Sequence, residues 1–174
     1  AAAQAYFAVQ TRRQEVEDLA IIETARLEAR EKLKETEEKI ERVVYKRGIR
    51  LPVEFATFKD KHIQGLYGGL KTNDLKKVRG IPSKRALADF DSHVELKAKD
   101  LSLAMTTHNI VGRDIQGKRG MEREVEANSI ATRKALLDRG IVPESLPPQE
   151  DIKKVEKRRQ RSLPQASQTR FFDK

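Results

Sequence analysis

Between Arg12 and Arg47 the chain contains neither glycine nor proline, and Glu, Arg, Lys, Leu and Ala dominate. These are strong helix formers. The series Leu19, Ile22, Arg26, Ala29, Leu33, Thr36, Ile40, Val43 advances in alternating steps of three and four, a heptad seam interrupted by Arg26 and Thr36. The pattern predicts one helix, about 50 Å long at 1.5 Å per residue, ended by Gly48. Such a helix is too long and too charged to be covered by the remainder of a small chain. It is expected either to protrude as a stalk or to pair with a second copy along Leu19, Ile22, Ala29, Leu33, Ile40 and Val43. The competing possibility is that Phe55, Phe58, Leu87 and Phe90 cover the seam within one chain.

Beyond Gly48 the pattern shortens. Pro52 opens a helical segment with Phe55 and Phe58 on one face, followed by the turn Gly65-Leu66-Tyr67-Gly68-Gly69-Leu70, whose paired glycines permit positive φ. Thr72 or Asn73 can cap a short helix that Gly80 closes. Pro82 and Ser83 are expected to start the next helix, with Leu87, Phe90, Val94, Leu96, Leu101 and Leu103 as its apolar positions. Glycines 112, 117 and 120 interrupt it. A helix from about Met121 to Arg139 follows, and Val142-Pro143 and Pro147-Pro148 flank a linker to a last basic helix, Gln149 to Arg161. Strand-type alternation is absent. The expectation is an all-α fold of about six helices in three parts: 1–47 as the long helix, 48–142 as a small helical domain, and 143–174 as linker, basic helix and tail.

Composition narrows the function classes. Charged residues make up 36% of the 174 residues and apolar ones 37%, against roughly 25% charged in an average domain. The longest run without a formal charge, Leu101 to Gly112, is far short of the ~20 residues that span a bilayer, so no membrane partner is expected. There is no cysteine, which removes thiolate catalysis, disulfides and Cys-based zinc sites; a reducing cytoplasmic location is compatible with this. None of His62, His93 and His108 stands at i,i+4 to another, so no helix face offers a paired metal site. Gly112-Arg113-Asp114-Ile115-Gln116-Gly117-Lys118-Arg119 fits the first seven positions of a phosphate-binding loop. Arg119 replaces the hydroxyl residue that would hold magnesium, and no apolar strand precedes it. No acid–base pair or nucleophile elbow stands out. The expectation is a protein without enzymatic activity, cofactor, metal or small-molecule substrate.

The net charge of +9 lies entirely after Gly48, since the first 47 residues are neutral. It concentrates in Lys71, Lys76, Lys77, Arg79, Lys84 and Arg85; in Arg113, Lys118 and Arg119; and in Lys153, Lys154, Lys157, Arg158, Arg159 and Arg161. Basic side chains beside glycine-punctuated helix ends suit phosphate contacts, although a solvated, solubilising surface has the same composition. In the tail, Gln165 to Phe172 partly resembles a sliding-clamp peptide, with Gln168 where an aliphatic anchor belongs. Docking of Phe171 and Phe172 on the chain's own helices is the simpler expectation. The opening run Ala1 to Thr11 is uncharged and leads directly into the helix, which reads as a piece of a longer protein.

Several strings carry a family resemblance. Tyr6-Phe7-Ala8-Val9-Gln10-Thr11-Arg12-Arg13-Gln14-Glu15, Phe55-Ala56-Thr57-Phe58, Gly65 to Leu70, Ile115-Gln116-Gly117-Lys118 and Val142 to Pro147 occur in the order and approximate spacing of the bacterial DNA-damage-inducible protein D family, which the chain resembles to about Lys157. The resemblance implies an N-terminal BRO-type domain ahead of Tyr6, outside this sequence. It also implies a place in the SOS response and inhibition of the RecA recombinase assembled on DNA. The expected partner is single-stranded DNA or a RecA–DNA filament, with the chain as a homodimer. The alternative is a helical self-association or antirepressor-type module whose N-terminal domain reads DNA.

Overall fold

The computed structural model describes residues 2–162; the tail strings around Gln165 to Phe172 lie outside them. Six α-helices follow in order: α1 (Ala2–Lys46), α2 (Pro52–Leu66), α3 (Thr72–Arg79), α4 (His93–Gly112), α5 (Lys118–Leu137) and α6 (Ile152–Ser162). Single 3-10 turns at Leu87–Phe90 and Pro143–Ser145 join them, and there is no strand among the described residues. The fold is all-α, as the pattern predicted. No helix among the described residues is long and apolar enough to cross a membrane.

The helix ends follow local chemistry. Pro52 occupies the first turn of α2, where a missing N–H costs nothing, and Glu54 accepts hydrogen bonds from the Arg50 and Leu51 amides at 2.8 and 3.0 Å. Gly80 ends α3 in the left-handed conformation, φ 64°. The helix expected from Pro82 instead begins at His93. Ser92 caps it, its Oγ accepting from Glu95 N while Glu95 Oε2 accepts from Ser92 N at 2.9 Å. This is a reciprocal capping box. Residues 82–92 cross the core edge as turns because Leu87, Ala88 and Asp89 are all buried there.

The main core joins Ala29, Leu33, Ile40 and Val44 of α1 to Phe58 of α2, Leu96, Leu103 and Ile110 of α4, and Met121 and Val125 of α5. A second cluster gathers Ile63, Leu66, Tyr67, Leu75, Ile81, Leu87 and Ala98, with Leu70, Phe90 and Leu136 against it. The expected dimer seam is therefore corrected over most of its length. Ala29, Leu33 and Ile40 are buried inside one chain, and Val43 packs against the same core. Phe58 covers them and Phe55 flanks, but Leu87 and Phe90 serve the second cluster; α4, which the pattern placed too early, supplies the rest. Packing thus runs across the expected boundary at Gly48, and the Gly117 amide ties to Arg47 O at 2.9 Å. Leu19 and Ile22, by contrast, remain 56% and 59% exposed. The helix is half core and half uncovered.

Helices α2 and α5 approach closely at Gly65, which lies within α2 and not in the turn. A Cβ there would stand 2.7 Å from Ser129 Cβ and 2.9 Å from Glu126 O. Both obstacles belong to α5 and cannot swing aside. Gly65→Ala is expected to destabilise the chain by about 1–3 kcal/mol, the usual cost of overpacking, read as a lower urea midpoint. An unchanged midpoint would mean that α5 yields.

Candidate nucleic-acid interface

Arg79 was the central member of the first basic cluster, and the structure removes it from the surface. Its side chain is 2% exposed and spans two carboxylates, with Nη1 3.2 Å from Asp91 Oδ1 and Nη2 2.6 Å from Glu95 Oε1. Nη2 also donates to Pro143 O at 3.0 Å. Lys99 Nζ closes the other side of Asp91, and Tyr67 OH, from the glycine-rich turn, donates to Glu95 Oε1 at 3.1 Å. From α1, Arg26 donates to Asp91 O and Asp89 O at 2.7 and 2.8 Å, and Arg30 pairs with Asp89 Oδ1 at 2.9 Å. Arg26, the supposed interruption of the seam, joins Arg30 in binding the 82–92 segment to α1.

Electrostatics agree with a structural role for this network. Burial pushes the Asp91 carboxyl upward, against the pull of Lys99 and Arg79. Burial opposes the charge on Arg79 too, but Glu95, Tyr67 and Asp91 outweigh it and hold the guanidinium above its ordinary range. Burial, with Asp91 and Glu95 nearby, drives the Tyr67 phenol well up. Nothing in the spacing of these residues along the sequence signals the cluster; the only local trace is the Ser92–Glu95 capping pair. Burying charges is tolerable only when they are paired, and Arg79, buried between two carboxylates, is not available to a phosphate.

Of the remaining cations of the first cluster, Arg85 reaches the start of the third. Lys76 Nζ donates to Ser83 O at 2.9 Å, and Lys84 is exposed in the turn that follows. Arg85, half-buried, bridges Asp89 at 3.1 Å and Asp151 at 2.6 Å, while Gln149 N donates to Phe90 O at 2.8 Å. These bonds dock the start of α6 against the 82–92 segment. Ile152 and Val155 are its buried anchors. Further along, Arg158 pairs with Glu23 and Glu150, and Arg159 donates to Thr24 Oγ1 at 2.6 Å, which lays α6 along α1.

This leaves an outward face on α6. Its eleven residues carry six cations and one acid, Glu156. Lys153, Lys154, Lys157 and Arg161 are exposed and have no ion pair among the described residues. Lys84 is exposed next to Arg85, which binds Asp151 ahead of α6; Lys77 is exposed on α3, and Lys71 precedes the start of that helix.

The second cluster is elsewhere. Arg113, Lys118 and Arg119 surround the α4–α5 connection, which is held to the C-terminal end of α1 by the Gly117–Arg47 bond. Arg113 lies 3.8 Å from Glu124 and Lys118 3.9 Å from Glu122. Thr24 and Arg47 are separated by twenty-three steps of α1, about 35 Å. The phosphate-loop string Gly112 to Arg119 is the end of one helix, a tight connection and the start of the next.

Between α1, α2, α3 and α4 opens a cavity of about 400 Å³, walled by Phe55, Phe58, Leu87 and Leu103, with Glu37, His62 and Lys99 among its polar lining. Its residues come from distant segments, so no local pattern in the sequence marks it. Burial raises the Glu37 carboxyl against the pull of Arg30.

Comparison with known proteins accounts for the strings noted in the sequence. The DinD C-terminal domain family matches residues 22–155. The DNA damage-inducible protein D of Escherichia coli (strain K12) is 32% identical over 169 residues, covering 90% of this chain and 60% of that protein. The chain thus spans about 60% of that relative's length. No solved structure matches. The family strings fall on distinct parts of the fold: Tyr6 to Glu15 on the uncovered half of α1, Gly65 to Leu70 at the α2–α5 contact and the turn after it, and Ile115 to Lys118 at the α4–α5 connection. By the family match, and by its identity to that relative, the chain belongs to the DinD C-terminal domain family.

Proposed function

We propose that this chain is a non-catalytic regulator of the DNA-damage response that holds single-stranded DNA, alone or within a RecA–DNA filament, on the outward face of α6. The observation that carries this reading is the six cations on one eleven-residue helix, four of them exposed without an ion pair among the described residues. Lys84 extends the face. Phosphates would lie across Lys153, Lys154, Lys157 and Arg161, with Arg158 and Arg159 fixing the helix on α1. The name of the relative, a DNA damage-inducible protein, supports the place in the DNA-damage response.

Five phosphate contacts on a single strand give a log–log salt slope of about −3 to −4, since each released counterion contributes roughly −0.7. The binding is expected to be indifferent to sequence. The triple charge reversal Lys154→Glu, Lys157→Glu, Arg161→Glu should weaken binding of a labelled oligonucleotide more than tenfold by fluorescence anisotropy. Reversal of Arg113 and Arg119, about 35 Å away by the helix rise, should change it less than twofold. Equal losses from both sets, or a flat salt response, would remove α6 as the site.

A further inference from the structure

The uncovered half of α1 carries the most informative unpartnered surface. The stripe that enters the core at Arg26, Ala29 and Leu33 continues upstream through Ala5, Ala8, Arg12, Glu15, Leu19 and Ile22, in the same alternating steps. All six are exposed. Arg13 is satisfied by Glu17 at 3.1 Å along its own helix, whereas Arg12 and Glu15 have no ion pair among the described residues. In heptad terms the stripe reads a, d, a, d, a, d.

We propose that this half-helix pairs with a second copy of the chain, antiparallel, about a two-fold axis between Arg13 and Gln14. In that register Ala5 meets the partner's Ile22, Ala8 meets the partner's Leu19, and Arg12 meets the partner's Glu15. Each a position faces a d position, as antiparallel packing requires. The two largest aliphatic residues then sit against the two smallest, and the free cation meets the free anion. Two-fold symmetry repeats every contact, which makes the patch self-complementary. A parallel pair would set Arg12 against Arg12 and Glu15 against Glu15, with alanine opposite alanine. Val9 and Val16, both exposed, flank the stripe on the side toward α6. This register differs from the seam expected from the sequence, because Ala29, Leu33 and Ile40 are spent within the chain.

The test uses sedimentation equilibrium of the whole 174-residue chain. The wild type is expected to be dimeric at tens of micromolar. Leu19→Asp with Ile22→Asp should yield a monomer with an unchanged unfolding midpoint for the core, because neither side chain is buried. Arg12→Glu should weaken association at least tenfold, and adding Glu15→Arg should restore it. Since the chain has no cysteine, a mixture of Ala8→Cys and Leu19→Cys variants should cross-link with a short dithiol-reactive reagent, while Ala8→Cys alone should not. A monomeric wild type, failure of the charge swap to restore the dimer, or efficient linking of Ala8→Cys to itself would overturn the proposal. The first of these outcomes would assign the face to a different occupant.

Discussion

Asp91→Ala is expected to cost about 3–5 kcal/mol of unfolding free energy, the range for removing one partner of a buried ion pair. The carboxylate is fully buried and lies between Arg79 and Lys99, whose side chains are 2% and 4% exposed. Arg79 retains Glu95 and Pro143 O after the change. Lys99 has no other ion pair among the described residues, only the face of the Tyr67 ring at 5.1 Å, so the loss falls chiefly on a buried ammonium at the wall of the cavity. The companion variant, Asp91→Leu with Lys99→Met, removes both charges and should recover at least half of the deficit, because an apolar replacement of a whole buried pair is often close to neutral. Urea unfolding at pH 7 measures both. If the single variant loses less than about 1 kcal/mol, water reaches the site and the network does not hold the fold.

The second large effect is acid lability through His62. Ser129 Oγ donates to Val125 O and Ser102 Oγ to Lys99 O, so both neighbouring hydroxyl protons are committed. His62 Nδ1 must then be the donor to Ser129 Oγ, at 2.9 Å. Nε2, buried and without a partner among the described residues, keeps its lone pair. Burial, with a smaller contribution from Lys99, lowers the imidazole to about 3. Between that value and the unfolded 6.5 the unfolded chain binds a proton that the native chain refuses, so stability falls as pH falls through this window. The slope is about 1.4 kcal/mol per pH unit, giving about 2–3 kcal/mol between pH 6.5 and 4.5. Glu37 and Asp91, both raised by burial, act in the opposite sense. A comparison of the wild type with His62→Gln therefore isolates the histidine: the difference in stability should shrink steadily below pH 6.5. A constant difference would show that His62 titrates normally.

Much of this architecture was written locally. The unbroken helix from Arg12, the Pro52 start of α2, the Gly80 stop of α3 and the basic α6 are properties of neighbouring residues, and helix propensity and end signals report them directly. The segment 82–92 was misread as helix because Leu87, Phe90 and Val94 are spaced as a helix would space them. Arg26 and Arg79 instead hold the chain at Asp89 and Asp91, with Leu87 buried beside them, and the helix starts only at His93. Arg79 itself looked like a surface cation because its two carboxylate partners lie 12 and 16 residues away, beyond the reach of any helical period. The seam was legible as a stripe, but a stripe does not say what covers it. Its lower half belongs to α4, twenty residues of helix whose own apolar positions showed no comparable stripe.

The continuity of α1 has a mechanical consequence. No glycine or proline interrupts it between the uncovered half and the core, and α6 is fastened to it at Glu23 and Thr24. The helix is therefore a rigid lever with no hinge, and not a tether. Whatever grips residues 5–22 is locked in angle and distance to the cationic face of α6. In an antiparallel pair the two α6 faces would stand about 30 Å apart along the shared axis, by the helix rise. Two such faces on one strut form a gauge of fixed span, and a polyanion long enough to touch both would be held by both at once.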